Sequence, residues 1–164
     1  MKTKNIITTI LIIAGIMSFS ACSKDKNIDK EKPVIDISIQ DAFPINCDTL
    51  YFGESYTLKI RFTDNAELGT YSIEIHHNFE HHSHSTDVEE CEHDPEKEPV
   101  NPWVFIQDYE IPAGLTEHVT DITLSLPSDC CGEYDEGDYH FFISLTDAEG
   151  WSAQKGLSVK IMKR

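Results

Sequence analysis

Positive charge is scarce in this chain. Only 13 Lys and Arg stand against 29 Asp and Glu in 164 residues, a formal net charge of −16. So acidic a surface repels nucleic acid and anionic lipid headgroups, and neither is an expected ligand. It suits cations, although solubility alone explains charge of this sign. Long apolar runs are missing as well. Residues 6–19 form an apolar run of roughly 14 residues, short of the roughly 20 that span a bilayer. Sustained helical periodicity is absent, which excludes a helical bundle. There is no H-E-x-x-H, no G-x-S-x-G elbow, no P-loop and no dinucleotide fingerprint. Scattered Ser, His and Asp residues lack the spacing of a triad, so an enzyme is not expected.

What is present begins with a leader. M-K-T-K-N carries two lysines and no acid, the apolar run follows, and Ser20-Ala21-Cys22 closes it. A charged start, a short apolar core and small residues at the end make a secretion signal. Cysteine placed directly after the small residues resembles the lipobox of bacterial lipoproteins. That resemblance implies cleavage after Ala21 and acylation of Cys22, with ordinary secretion as the plainer alternative. Several acyl chains anchor a protein stably where one is marginal. Cleavage would remove Lys2 and Lys4, so the net charge of −16 becomes −18. Residues 22–32 are polar and charged, cannot bury a core, and are expected to form a flexible tether. Residues 33–164 are then the folded domain, of ordinary single-domain size.

From Pro33 the hydrophobic pattern has period two. Seven strands are expected, lettered A to G. They centre on Val34, Ile35, Ile37 and Ile39 (A), and on Tyr56, Leu58, Ile60 and Phe62 (B). Tyr71, Ile73 and Ile75 mark C, and residues 103–111 contain D. Ile122, Leu124 and Leu126 mark E, while Tyr139, Phe141, Ile143 and Leu145 mark F. Residues 151–162 hold G. Seven short strands separated by turn residues indicate an all-β, immunoglobulin-like β-sandwich, with a small barrel as the alternative. Gly137-Asp138-Tyr139 at the start of F has the look of a tyrosine corner.

The stretches D-N-A-E-L-G-T-Y-S-I-E-I-H-H-N-F, E-H-H-S-H and G-D-Y-H-F-F-I-S-L-T-D-A-E-G-W resemble a family of Bacteroidetes lipoproteins. That family is catalogued only as a domain of unknown function. The resemblance implies an immunoglobulin-like fold and a cell-envelope address, and it brings no activity.

Four cysteines remain beyond Cys22: Cys47, Cys91, Cys130 and Cys131. An exported chain sits where disulfides form. Neighbours Cys130 and Cys131 would need a strained ring. The expected pairing therefore joins Cys91 to one of them and Cys47 to the other.

Six of the eight histidines fall between positions 76 and 93, in a long insert between C and D that is also rich in Asp and Glu. In a seven-strand sandwich the AB, CD and EF loops share one pole. That gathers the four cysteines and every histidine except His118, which is expected to be a surface or capping residue. C and F are antiparallel neighbours, so the end of C meets the start of F. Ile75 and Phe141 should point inward, leaving His76 and His140 side by side on the outer face, their Cβ atoms about 5 Å apart. Two imidazoles at that spacing can share a metal, with further ligands from His77, His81, His82 or His84. Such donors suit Zn2+, Cu2+ or Ni2+. A solvated polar loop is the bland alternative. At the opposite pole, Asp64, Asn65 and Asp147 offer oxygen donors for Ca2+, although such residues more often just make turns.

The expected function is capture or handling of Zn or Cu by an outer-membrane lipid-anchored protein, periplasmic or surface-exposed, with a receptor or transporter as partner. The alternatives are a module that binds protein or glycan through loops, or an accessory subunit of an outer-membrane receptor. Tyr109 and Tyr134 would supply contacts to such a ligand, whereas Trp103 and Trp151 fit packing better.

Overall fold

The alternation of apolar and polar residues folds into two facing layers. The computed structural model describes residues 29–82, 91–128 and 134–164. These hold ten strands: β1 Val34–Asp36, β2 Thr49–Tyr51, β3 Ser55–Leu58, β4 Arg61–Thr63, β5 Leu68–His77, β6 Phe105–Glu110, β7 Glu117–Val119, β8 Ile122–Ser125, β9 Gly137–Asp147 and β10 Ser152–Met162. One layer is the five-stranded sheet β2-β10-β9-β5-β6. It is antiparallel except where β2 runs parallel to β10. The other layer comprises β1-β4-β7 and the pair β3-β8. No helix among the described residues is long and apolar enough to cross a membrane.

The count of ten corrects the expected seven for a physical reason. Expected strand B is interrupted between β3 and β4, and expected strand E is β8, with β7 a further strand separated from it by a break. At both breaks Thr120 enters the ladder. Its hydroxyl accepts from the Ile60 N–H at 2.9 Å and donates to the Leu58 carbonyl at 2.8 Å. A side chain standing in for a backbone partner makes each break. β2 and β7 are the added elements, three residues each and too short to show a period.

A second correction concerns residues 103–111. Strand β6 pairs with β5, with Ile75 opposite Phe105 and Thr70 opposite Glu110. It thus extends the β9-β5 sheet instead of joining the opposite layer as a D strand would. The strand order is that of an immunoglobulin-like sandwich with a C′ strand. The His-rich insert is therefore a C–C′ connection, still leaving from the same end of β5.

The core lies between the layers. Leu58, Ile60, Phe62 and Leu124 face Ile73, Ile75, Phe141, Ile143, Leu145, Leu157 and Val159, all buried. The Tyr139 hydroxyl donates to the Asp135 carbonyl at 2.6 Å and accepts from the Trp103 N–H at 3.2 Å, which makes the expected tyrosine corner. Burial pushes that phenol up to about 12. Gly69 sits at an irregularity in the β5–β9 pairing. A Cβ there would stand 2.8 Å from the carbonyl oxygens of Thr146 and Asp147, so the close approach requires glycine.

A histidine-rich candidate metal centre and an opposite carboxylate cluster

Strands β5 and β9 position the first imidazoles. Their register sets His76 opposite His140, as the pattern of inward Ile75 and Phe141 implies. The two rings lie 5.4 Å apart, and His82 brings a third ring 5.4 Å from His140 and 6.3 Å from His76. His140 is only 1% exposed although it points away from the core, and His82 and His76 pack against it. Its Nε2 lies 3.0 Å from the His82 carbonyl oxygen. His76 Nδ1 lies 3.1 Å from a Glu74 carboxylate oxygen.

A second group forms beside the first. Asp138 lies two residues before His140, so both project from the same face of β9. His81 Nε2 is 3.5 Å and His93 Nδ1 3.6 Å from Asp138 Oδ2. Ligand atoms from all three lie within 4.8 Å of one another. His81 Nε2 is buried and makes no hydrogen bond among the described residues. His81 itself has a positive φ of 53°, costly for a residue other than glycine, at the end of a turn in which its N–H donates to the Asn78 carbonyl. Lys160 pairs with Asp94 and lies 3.8 Å from Asp138 Oδ1. Asp94 holds the Lys160 ammonium above the usual lysine value.

The expected ligand set thus divides. His76, His82 and His140 form one cluster, and His81 joins the other. His77 belongs to neither: it has the inward parity of Ile75, and its ring packs 5.0 Å from Phe79. His84 lies outside the described residues. His93 and Asp138 are the members that sequence reading missed. Period two on β9 would have found Asp138, since it shares a face with His140. His118, half-buried on β7, packs against Phe62 and Tyr71.

The disulfide pairing also needs correction. Cys47 is bonded to Cys91, not to either member of the 130–131 pair, which lies outside the described residues as Cys22 does. The reason is β2. By running parallel to β10, it brings Cys47 to Ser158, whose carbonyl accepts the Cys47 N–H at 2.8 Å. Cys91 at the far end of the insert meets it there. The bridge fastens the insert across β10 and keeps His93, two residues on, beside Asp138.

At the other pole, carboxylates gather on short turns. Asp64 Oδ1 accepts the N–H groups of Ala66 and Glu67 at 2.8 and 2.9 Å. Asp147 Oδ1 accepts those of Glu149, Gly150 and Trp151 at 2.6–2.9 Å. Asn65 turns its amide nitrogen to Asp29 Oδ1 at 2.9 Å, so it orients a neighbouring carboxylate. Packing begins before Pro33, the expected domain boundary: Asp29 is 8% exposed and its carbonyl accepts the Trp151 indole N–H at 3.0 Å.

No curated protein matches the chain. Among solved structures, the chain is similar to the sporulation control protein Spo0M from Bacillus subtilis, at 11% identity and a TM-score of 0.39. That likeness covers 81% of this chain and 49% of Spo0M, so the chain spans about half the length of that protein. With an all-β sandwich on the page and residues 20–162 matched, the chain belongs to the family described as "Domain of unknown function (DUF4625)".

Proposed function

We propose that this is a cell-envelope lipoprotein, anchored through Cys22, that captures or hands on Zn2+ or Cu2+ at its histidine-rich pole. The observation that supports this best is the meeting of His81, His93 and Asp138. A tetrahedral ion with bonds of 2.0–2.1 Å keeps its ligands about 3.4 Å apart. The measured separations of 3.5 and 3.6 Å fit that edge. The cluster of His76, His82 and His140 lies alongside as a second reservoir of imidazole donors. Asp29 packs at the opposite pole, so a lipid-linked N-terminus would enter there and the histidines would face away from the membrane. That orientation suits a cation binder serving a receptor or transporter, with no catalytic step.

The test is equilibrium titration of the purified full-length protein with Zn2+ and Cu2+. Binding tighter than about 100 µM is expected, and its absence in a folded chain rejects a capture role. Paired substitution His81→Ala with His93→Ala should weaken zinc binding about 100-fold or more, while His77→Ala leaves it unchanged.

A second reading is a protein- or glycan-binding module. Exposed Val100, Val104 and Ile106 favour it, because they flank or lie on β6, an edge strand among the described residues. Partner binding that survives chelation and the paired substitution of His76 and His140 would favour this second reading.

A further inference from the structure

We propose that Asp29, Asp64 and Asp147 hold a calcium ion that clamps the segment entering the domain onto the two turns beside it. Their ligand oxygens all lie within 4.8 Å of one another. Two of the three residues are deeply buried, Asp29 at 8% and Asp147 at 4% exposure. In each residue one oxygen is engaged: Oδ1 takes the backbone or Asn65 donors described above. The other, Oδ2, is buried in all three and has no hydrogen-bond partner among the described residues. A buried carboxylate oxygen without a donor is costly, and three carboxylates gathered together are costlier, because their charges repel. A cation between them removes both costs.

The donor set selects the ion. All three donors are hard carboxylate oxygens, which suits Ca2+ or Mg2+ over Zn2+ or Cu2+. Oxygens bound at 2.3–2.6 Å around Ca2+ lie roughly 3–5 Å apart, matching this spacing. Mg2+ demands bonds near 2.0–2.1 Å and a near-ideal octahedron, which oxygens spread over three chain segments meet less readily. Each carboxylate is held in place by N–H donors on its first oxygen, so little ordering remains for binding to supply. A cleft lined by Asp29, Lys30, Glu149, Gly150 and Trp151 adjoins the cluster and leaves room for water ligands.

The geometry also says what the ion does. Asp64 sits on the β4–β5 turn and Asp147 at the β9–β10 turn, while Asp29 belongs to the segment before β1. One ion therefore ties all three together. The clamp stands apart from the histidine pole and does not rest on it.

The experiment uses the full-length protein, purified in detergent and stripped with EGTA. Calorimetric titration should show one Ca2+ per chain with a Kd at or below about 1 mM, the range of extracellular calcium modules, and Mg2+ at least tenfold weaker. Asp147→Asn keeps an oxygen for the turn N–H groups and loses the charge, so at least a tenfold loss is expected. Asp29→Asn lies outside every strand and gives the same readout should Asp147→Asn fail to fold. Tb3+ bound there should show emission sensitised by the Trp151 indole, lost in Trp151→Phe. The His81→Ala, His93→Ala protein should bind Ca2+ as before. No Ca2+ uptake at 10 mM by the folded chain overturns the proposal, as does uptake that both Asn variants leave unchanged. Loss of Ca2+ binding in the histidine variant also overturns it, since the ion then sits at the other pole.

Discussion

At one end of the sandwich the polar groups sit on short turns; at the other they sit on a long insert. Asp64 and Asp147 are fixed by N–H groups two to four residues away, so local backbone geometry aims them. His81, His82 and His93 are aimed less by their own turns than by contacts distant in sequence. They are placed by pairing along β9, by a strained turn at His81 and by the Cys47–Cys91 bridge. A turn-built cluster should survive damage elsewhere in the fold, whereas an insert-built cluster depends on its fastening.

The strongest way to break this contrast is to cut the fastening. The bridge closes 44 residues of chain, worth about 4 kcal/mol of denatured-state entropy. The Cys47→Ser, Cys91→Ser protein should lose about 2–4 kcal/mol in a denaturant titration. Its zinc affinity should fall about tenfold while its calcium affinity stays within twofold. Zinc affinity that does not move would show that β9 alone positions the histidines.

Acid sharpens the contrast next. Imidazole binds a metal only when neutral, and an ordinary imidazole takes up its proton near pH 6.5. With two imidazole ligands, zinc affinity should drop steeply between pH 7.5 and 5.5. The calcium cluster holds no imidazole, so calcium affinity should fall less than zinc affinity over that interval. Zinc affinity flat across it would point to carboxylate ligands alone.

Alkali probes the framework common to both poles. Burial pushes Tyr139 up to about 12, and burial together with neighbouring Tyr109 does the same to Tyr71. A raised phenol value means the folded state holds its proton more tightly. That stability is complete below about pH 10 and fades as pH climbs toward 12. The urea midpoint should therefore decline across this interval, before the tyrosinate absorbance of these two residues develops.

The smallest effect belongs to Asp36. The Ser38 hydroxyl and N–H, then Arg61, hold its carboxyl down at about 2. A depressed value contributes stability above about pH 4 that disappears as pH falls toward 2. Asp36→Asn should slightly flatten the acid limb of the stability curve. An unchanged limb would show that this surface pair adds nothing, as exposed pairs often do.

Period-two alternation sufficed to place Ile73, Ile75, Phe141, Ile143 and Leu145 in the core. It also set His76 beside His140, because parity and antiparallel pairing leave little choice once one face is buried. The tyrosine corner was legible from the residues leading into β9. Other features leave no periodic trace. Thr120 divides two strands through a hydrogen bond made by a residue that looks like any strand threonine. The parallel pairing of β2 with β10 joins segments more than 100 positions apart, and it alone decides that Cys47 meets Cys91.

Composition and alternation were thus enough for an acidic, all-β fold with His76 and His140 side by side at one end, since burial of one strand face follows from hydrophobicity alone. Which groups touch was a tertiary matter. His81 meets His93 and Asp138 only because an insert is drawn across β10, and Asp29 meets Asp64 and Asp147 only because the chain enters beside two unrelated turns. Proximity between such distant positions comes from the path of the whole backbone, which no local pattern encodes.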